Sequence, residues 1–97
     1  MDIALKIGRS EFPESEVRDV VDYALRAETD QAKLRRDYYE GTCQSFESRH
    51  KMSSDEFLTR FDAGELGDDA IYFDWYAAKH GFDLWERRYR ILSGVSV

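Results

Sequence analysis

The sequence predicts a mainly all-α fold: a long helix, a short helix, a tight turn and a second long helix, doubled back as an antiparallel hairpin. Three features point to it. Apolar residues recur at steps of three and four over two long stretches. Between them lie a Ser-Ser-Asp-Glu helix start at residues 53–56 and a Gly-Glu-Leu-Gly-Asp-Asp turn at residues 64–69. No proline follows Pro13. The 97 residues suit one domain, with 1–12 as an N-terminal arm and 13–97 as the helical hairpin. Two such hairpins would complete a four-helix bundle in a dimer. Pairing helps a chain of this size, which alone buries only about 60–65% of its unfolded surface.

In the arm, Ile3, Leu5 and Ile7 alternate with more polar neighbours, the period of a strand. A lone strand needs another edge, so the segment reads either as a short strand paired elsewhere or as an extended arm packed on the helices. Pro13 suits a first helical turn, where Glu14 and Glu16 face the positive end of the dipole. Val17, Val20, Val21, Ala24, Ala27, Leu34 and Tyr38 then form one apolar face. The pattern resumes as Tyr39, Cys43, Phe46 and His50, offset by one residue, which predicts a stutter or a break near Gly41 in a helix over about 14–50.

The second helix starts at the Ser53–Glu56 capping box, buries Phe57, Leu58 and Phe61, and stops at Gly64. Gly64, Gly67, Asp68 and Asp69 form the structural turn, with one of the two aspartates capping the third helix. That helix carries Ile71, Trp75, Ala78, Phe82, Trp85, Tyr89 and Leu92 at alternating steps of four and three, an unbroken heptad seam. The seam packs either within the chain or against another one. As an interface it would nominate Ile71, Trp75, Phe82, Trp85 and Tyr89 as partner-binding residues. Gly81, beside the seam, has no side chain to hold off a neighbouring helix or a bulky partner group. Arg87, Arg88 and Arg90 suit the negative end of the dipole, and Gly94 closes the helix.

Composition narrows the function classes. Hydrophobic residues make up 42% and aromatics 14%, too rich for a disordered chain. The net charge is −6, with five of those charges in residues 37–97, so phosphate is repelled and nucleic-acid binding is disfavoured. Ten Arg against four Lys, with eleven Asp, is the balance of a protein kept hydrated at high salt. A single cysteine, Cys43, excludes an internal disulfide and suits a reducing cytoplasm. There is no run of about 20 apolar residues of the kind that spans a bilayer. Residues 1–10 lack the basic start and apolar core of a signal peptide.

Few residues are placed for chemistry. Glu47 and His50 form one Glu-x-x-His motif, half of what a dimeric di-iron bundle needs, but the third helix offers no inward Glu to complete it. His80 and Asp83 lie beside the seam and read as a surface contact. Cys43 falls in line with Tyr39 and Phe46 as a buried apolar residue. His50 stands about 10 Å along the helix, too far to act as its base. The acidic turn lacks the spacing of a calcium loop. No catalytic residue, metal ligand or cofactor is therefore expected. A strand before a helix resembles ribbon-helix-helix DNA binders, but the long uninterrupted first helix and the acidic charge disfavour that reading.

The stretch from Ser54-Asp55-Glu56-Phe57 through Gly64-Glu65-Leu66-Gly67-Asp68-Asp69 to Phe73-Asp74-Trp75-Tyr76-Ala77 resembles a pattern in small archaeal and bacterial helical proteins, often the antitoxin-like component beside a small toxin. The resemblance covers about residues 45–90, and the salt-adapted composition is similar to that of a haloarchaeal member. It implies an all-helical adaptor that binds and masks a partner, and no catalytic residues. The expected function is non-catalytic protein–protein interaction, with a small basic protein or a second copy as partner and no membrane.

Overall fold

A computed structural model describes residues 5–8 and 11–97. Three helices follow in order: α1, Glu14–His50; α2, Ser54–Asp62; and α3, Ala70–Ser93. They form an elongated body of 60 × 22 × 21 Å. The hairpin predicted from the sequence is present: α1 and α3 pack along each other, and α2 sits across one end.

The boundaries follow local chemistry. Pro13 precedes α1, and Arg18 bridges back to Glu14 at 3.0 Å in the first turn. The helix ends where Lys51 turns left-handed (φ 58°), its N–H donating to the Glu47 carbonyl. Ser53 then caps α2, its hydroxyl accepting from the Glu56 N–H at 3.1 Å. The next N–H, that of Ser54, donates to the Glu47 carboxylate at 2.8 Å, so the end of α1 also caps α2. At the far end of α2, Gly64 takes φ 74°, donating to the Phe61 carbonyl while Glu65 donates to that of Arg60. This pair of bonds is a Schellman stop, and the left-handed residue in it favours glycine. Asp69, not Asp68, caps α3, accepting from the Ile71 N–H at 3.2 Å.

The long helix expected over about 14–50 is present and runs through Gly41 without a break, while the reading of its buried face is corrected. Its covered face is Leu25, Thr29, Ala32, Arg36, Tyr39, Cys43, Phe46 and His50, all buried or half-buried. These positions keep steps of four and three with no offset, a heptad seam matching that of α3. Of the apolar stripe expected to be buried, Val17 and Val21 are half-buried, whereas Val20, Ala24, Ala27, Leu34 and Tyr38 are exposed. Arg36 holds its inward position because its guanidinium reaches Glu86 on α3 at 2.9 Å and lies over the Tyr89 ring. Of the expected N-terminal strand, residues 5–8 carry no regular structure, and Ile3 lies outside the described residues.

The fully enclosed core is small. It comprises Ala32, Cys43, Phe57, Trp75 and Ala78, with the Ser54 hydroxyl among them. All sit where the three helices meet or along the α1–α3 seam. A Cβ on Gly81 would lie 2.7 Å from the Tyr39 ring, so the missing side chain admits an aromatic from the opposite helix of the same chain.

Candidate functional site

The five seam residues nominated for partner contact lie along the hairpin's own packing. Trp75 has no exposed surface. It stacks on Phe57 at 4.0 Å between centroids, nearly parallel, with Phe46 and His50 also against it. Its indole N–H donates to the Ser54 hydroxyl at 2.9 Å. Trp85 receives the guanidinium groups of Arg35 and Arg88 over its ring, and Tyr89 that of Arg36. Phe82 lines a cavity with Cys43 of α1. Ile71, Phe82, Trp85 and Tyr89 are half-buried. Trp75 is covered within the hairpin by Phe46 and His50 of α1 and Phe57 of α2.

The candidate chemical pairs are likewise used within the chain. The Glu47 carboxylate caps α2, while His50 stacks on Trp75. Asp83 pairs with Lys79 at 2.8 Å, and His80 lies against the Tyr76 ring. Cys43 lines a cavity of about 200 Å³ with Glu40, Gln44, Glu47, Ser54, Lys79 and Phe82. Burial pushes the Cys43 thiol up from its ordinary value, which the Ser54 hydrogen bond only partly offsets. A thiol held protonated is a poor nucleophile. Burial alone would lower the Lys79 ammonium, but the carboxylates of Asp83 and Asp55 outweigh it and hold the pKa up. Of the charged groups in the cavity wall, Lys79 is thus paired with Asp83 and Asp55, and Glu47 accepts from the Ser54 N–H. Among the described residues, no group of three or more His, Cys, Asp and Glu side chains could hold a metal ion.

What remains open is the surface around the α2–α3 turn. Residues 61–78 contain Asp62, Glu65, Asp68, Asp69 and Asp74 and no basic residue. All five carboxylates are exposed, and none forms an ion pair with a described residue. Within this stretch Phe73 is 53% exposed, edge-on to Phe61 at 5.4 Å, and Tyr76 lies 5.1 Å from the same ring. An apolar aromatic step thus stands among unneutralised carboxylates. The Schellman stop at Gly64, the left-handed Gly67 (φ 78°) and the Asp69 cap hold the turn in shape. Sequence reading placed the turn but assigned Phe73 no role. The missed signal is an aromatic at the α3 position opposite the seam, inside a stretch without Lys or Arg.

No protein-family model, curated protein or solved structure matches the chain. No helix among the described residues is long and apolar enough to cross a membrane.

Proposed function

We propose that the protein is a non-catalytic docking domain that binds and masks a small basic protein, the role of an antitoxin-like component. One observation carries the reading: the end of α2, the turn and the first part of α3 carry five exposed carboxylates that form no ion pair with a described residue, and the same stretch exposes Phe73. Clustered like charges repel one another, and a cationic partner relieves that repulsion and associates faster for it. Phe73 supplies the apolar contact that charge lacks, in the manner of an aromatic hot spot with a polar rim. The resemblance of residues 45–90 to antitoxin-like proteins agrees with this, and a basic RNA-directed toxin is the sharper form of the partner.

The test compares two tagged chains captured from the natural host at its own salt. One is the parent; the other combines Phe73→Ala with Asp62→Asn and Asp74→Asn. The expected result is a small basic protein in stoichiometric amount with the parent and its loss with the variant, helix content unchanged by circular dichroism. Equal recovery by both chains would refute the surface. Absence of any basic protein from the parent would refute the function.

A further inference from the structure

Among the described residues, Arg18, Arg26, Arg36, Arg60 and Arg90 each bridge a carboxylate. Arg35, Arg49, Arg87 and Arg88 pair with no described carboxylate, although acidic residues outnumber Lys and Arg by 20 to 14. Two of these converge. Arg35 of α1 and Arg88 of α3 both lie over the Trp85 ring, their guanidinium carbons 4.5 and 4.8 Å from its centre. The sequence explains why no carboxylate reaches them. No residue three or four positions from either arginine on its own helix is acidic. The acids nearest in sequence, Asp37 and Glu86, are both held by Arg36. Beside the indole, Leu34, Tyr38 and Tyr39 complete a groove of about 310 Å³ with Arg35 and Trp85. Leu34 and Tyr38 are both exposed along it.

We propose that this groove binds a small phosphorylated molecule with a planar ring, of the nucleoside monophosphate class. A guanidinium laid flat on an aromatic face keeps its N–H edge free for an anion. One such fork matches a carboxylate. Two forks on one indole match a phosphate monoester, with its three acceptor oxygens and a charge of about −1.5 to −2. Stacking on Trp85 already orders both long side chains, so little rotamer freedom is left for them to lose on binding. The exposed Tyr38 ring and Leu34 give the planar part of the ligand a surface to stack on. The groove's volume lies at the lower end of small-molecule sites. The chain's net charge of −6 selects a compact anion, because phosphates reaching beyond the groove meet its repulsion. No groove residue belongs to the acidic 61–78 stretch, and Trp85 stands about 18 Å along α3 from Phe73 by helical rise. The inference is therefore independent of the docking edge.

Tryptophan fluorescence reads the site, because Trp75 has no exposed surface and Trp85 is only half-buried. The purified full chain is titrated with adenosine monophosphate at one fixed, low ionic strength. Adenosine, inorganic phosphate and a single-stranded oligonucleotide are separate arms. The expected result is a saturable change with the nucleotide, at an affinity about tenfold or more above that for adenosine or phosphate alone. Arg35→Gln and Arg88→Gln should each weaken nucleotide binding by about tenfold, the loss of charged hydrogen bonds. If either unfolds by circular dichroism, Arg35→Lys or Arg88→Lys, which keeps the charge and loses the fork, should weaken it in the same direction. Arg87→Gln removes an arginine that is unpaired but not over Trp85, and should leave the affinity within about twofold. Tyr38→Ala should weaken the nucleotide and leave phosphate unchanged. No saturable change, equal affinity for nucleotide and phosphate, an equal loss from Arg87→Gln, or tighter binding of the oligonucleotide would overturn the inference.

Discussion

Ser54 is the point at which all three helices are tied. Its N–H is held by Glu47 of α1 and its hydroxyl receives the indole N–H of Trp75 on α3. Both side chains are buried. Ser54→Ala keeps the backbone bond and removes the acceptor, leaving a buried indole N–H without a partner. Such an orphan costs about 1–3 kcal/mol. Alanine at the first position of α2 returns up to ~0.5 kcal/mol of helix propensity, so the net loss expected is about 1–2 kcal/mol. Trp75→Phe removes the donor instead, at the further cost of a smaller ring in a closed site. In that background no indole N–H exists, and Ser54→Ala should cost close to nothing. Urea unfolding followed by far-UV circular dichroism, at one fixed protein concentration, measures all four corners of the cycle. Equal cost of Ser54→Ala in the two backgrounds, or none in the parent, would show that the hydrogen bond does not hold the junction.

Two further perturbations read the α1–α3 seam. Gly81→Ala should destabilise the chain by roughly 1–2 kcal/mol, because the new methyl meets the Tyr39 ring and overpacks the seam. In a Tyr39→Ala background the same change should become stabilising by up to ~1 kcal/mol, the helix-propensity gain, and thermal melts of the four proteins check the change of sign. Glu86 bears on pH. Burial raises its pKa, but hydrogen bonds from Arg36 and Arg90 outweigh that and hold it below its ordinary 4.5. A carboxylate with a depressed folded pKa stabilises above the unfolded value and loses that contribution as pH falls through the folded one. Glu86→Gln should therefore melt below the parent at pH 7, and the gap should close on acidification below about pH 4.5. A gap independent of pH would refute the ionic link between the helices.

Much of the fold was legible because its ends are written locally. Ser53, Gly64 and Asp69 act through their own backbone neighbours, and short-range chemistry is readable in one sequence. The α3 seam was legible because every member is apolar. The C-terminal half of α1's covered face, Tyr39, Cys43, Phe46 and His50, was legible too, but the N-terminal half was not, because Thr29 and Arg36 occupy seam positions, the one turning its hydroxyl back to the Leu25 carbonyl and the other reaching Glu86 on α3. The more apolar Val20–Tyr38 stripe has the stronger period over that half, yet it faces away from α3. Hydrophobic period reports that a face seeks a partner, and it does not say which partner is in the same chain. The acidic edge was half legible: its turn was evident, but the exposure of Phe73 depends on how α2 lies against α3.

The docking surface is tested most directly by backbone hydrogen exchange. The purified chain is measured alone and in complex with the basic protein it captures. Slowed exchange over residues 61–76 in the complex is the expected pattern. Protection by the captured protein centred on 20–38, with 61–76 unchanged, would contradict it and assign the partner to the outer face of α1.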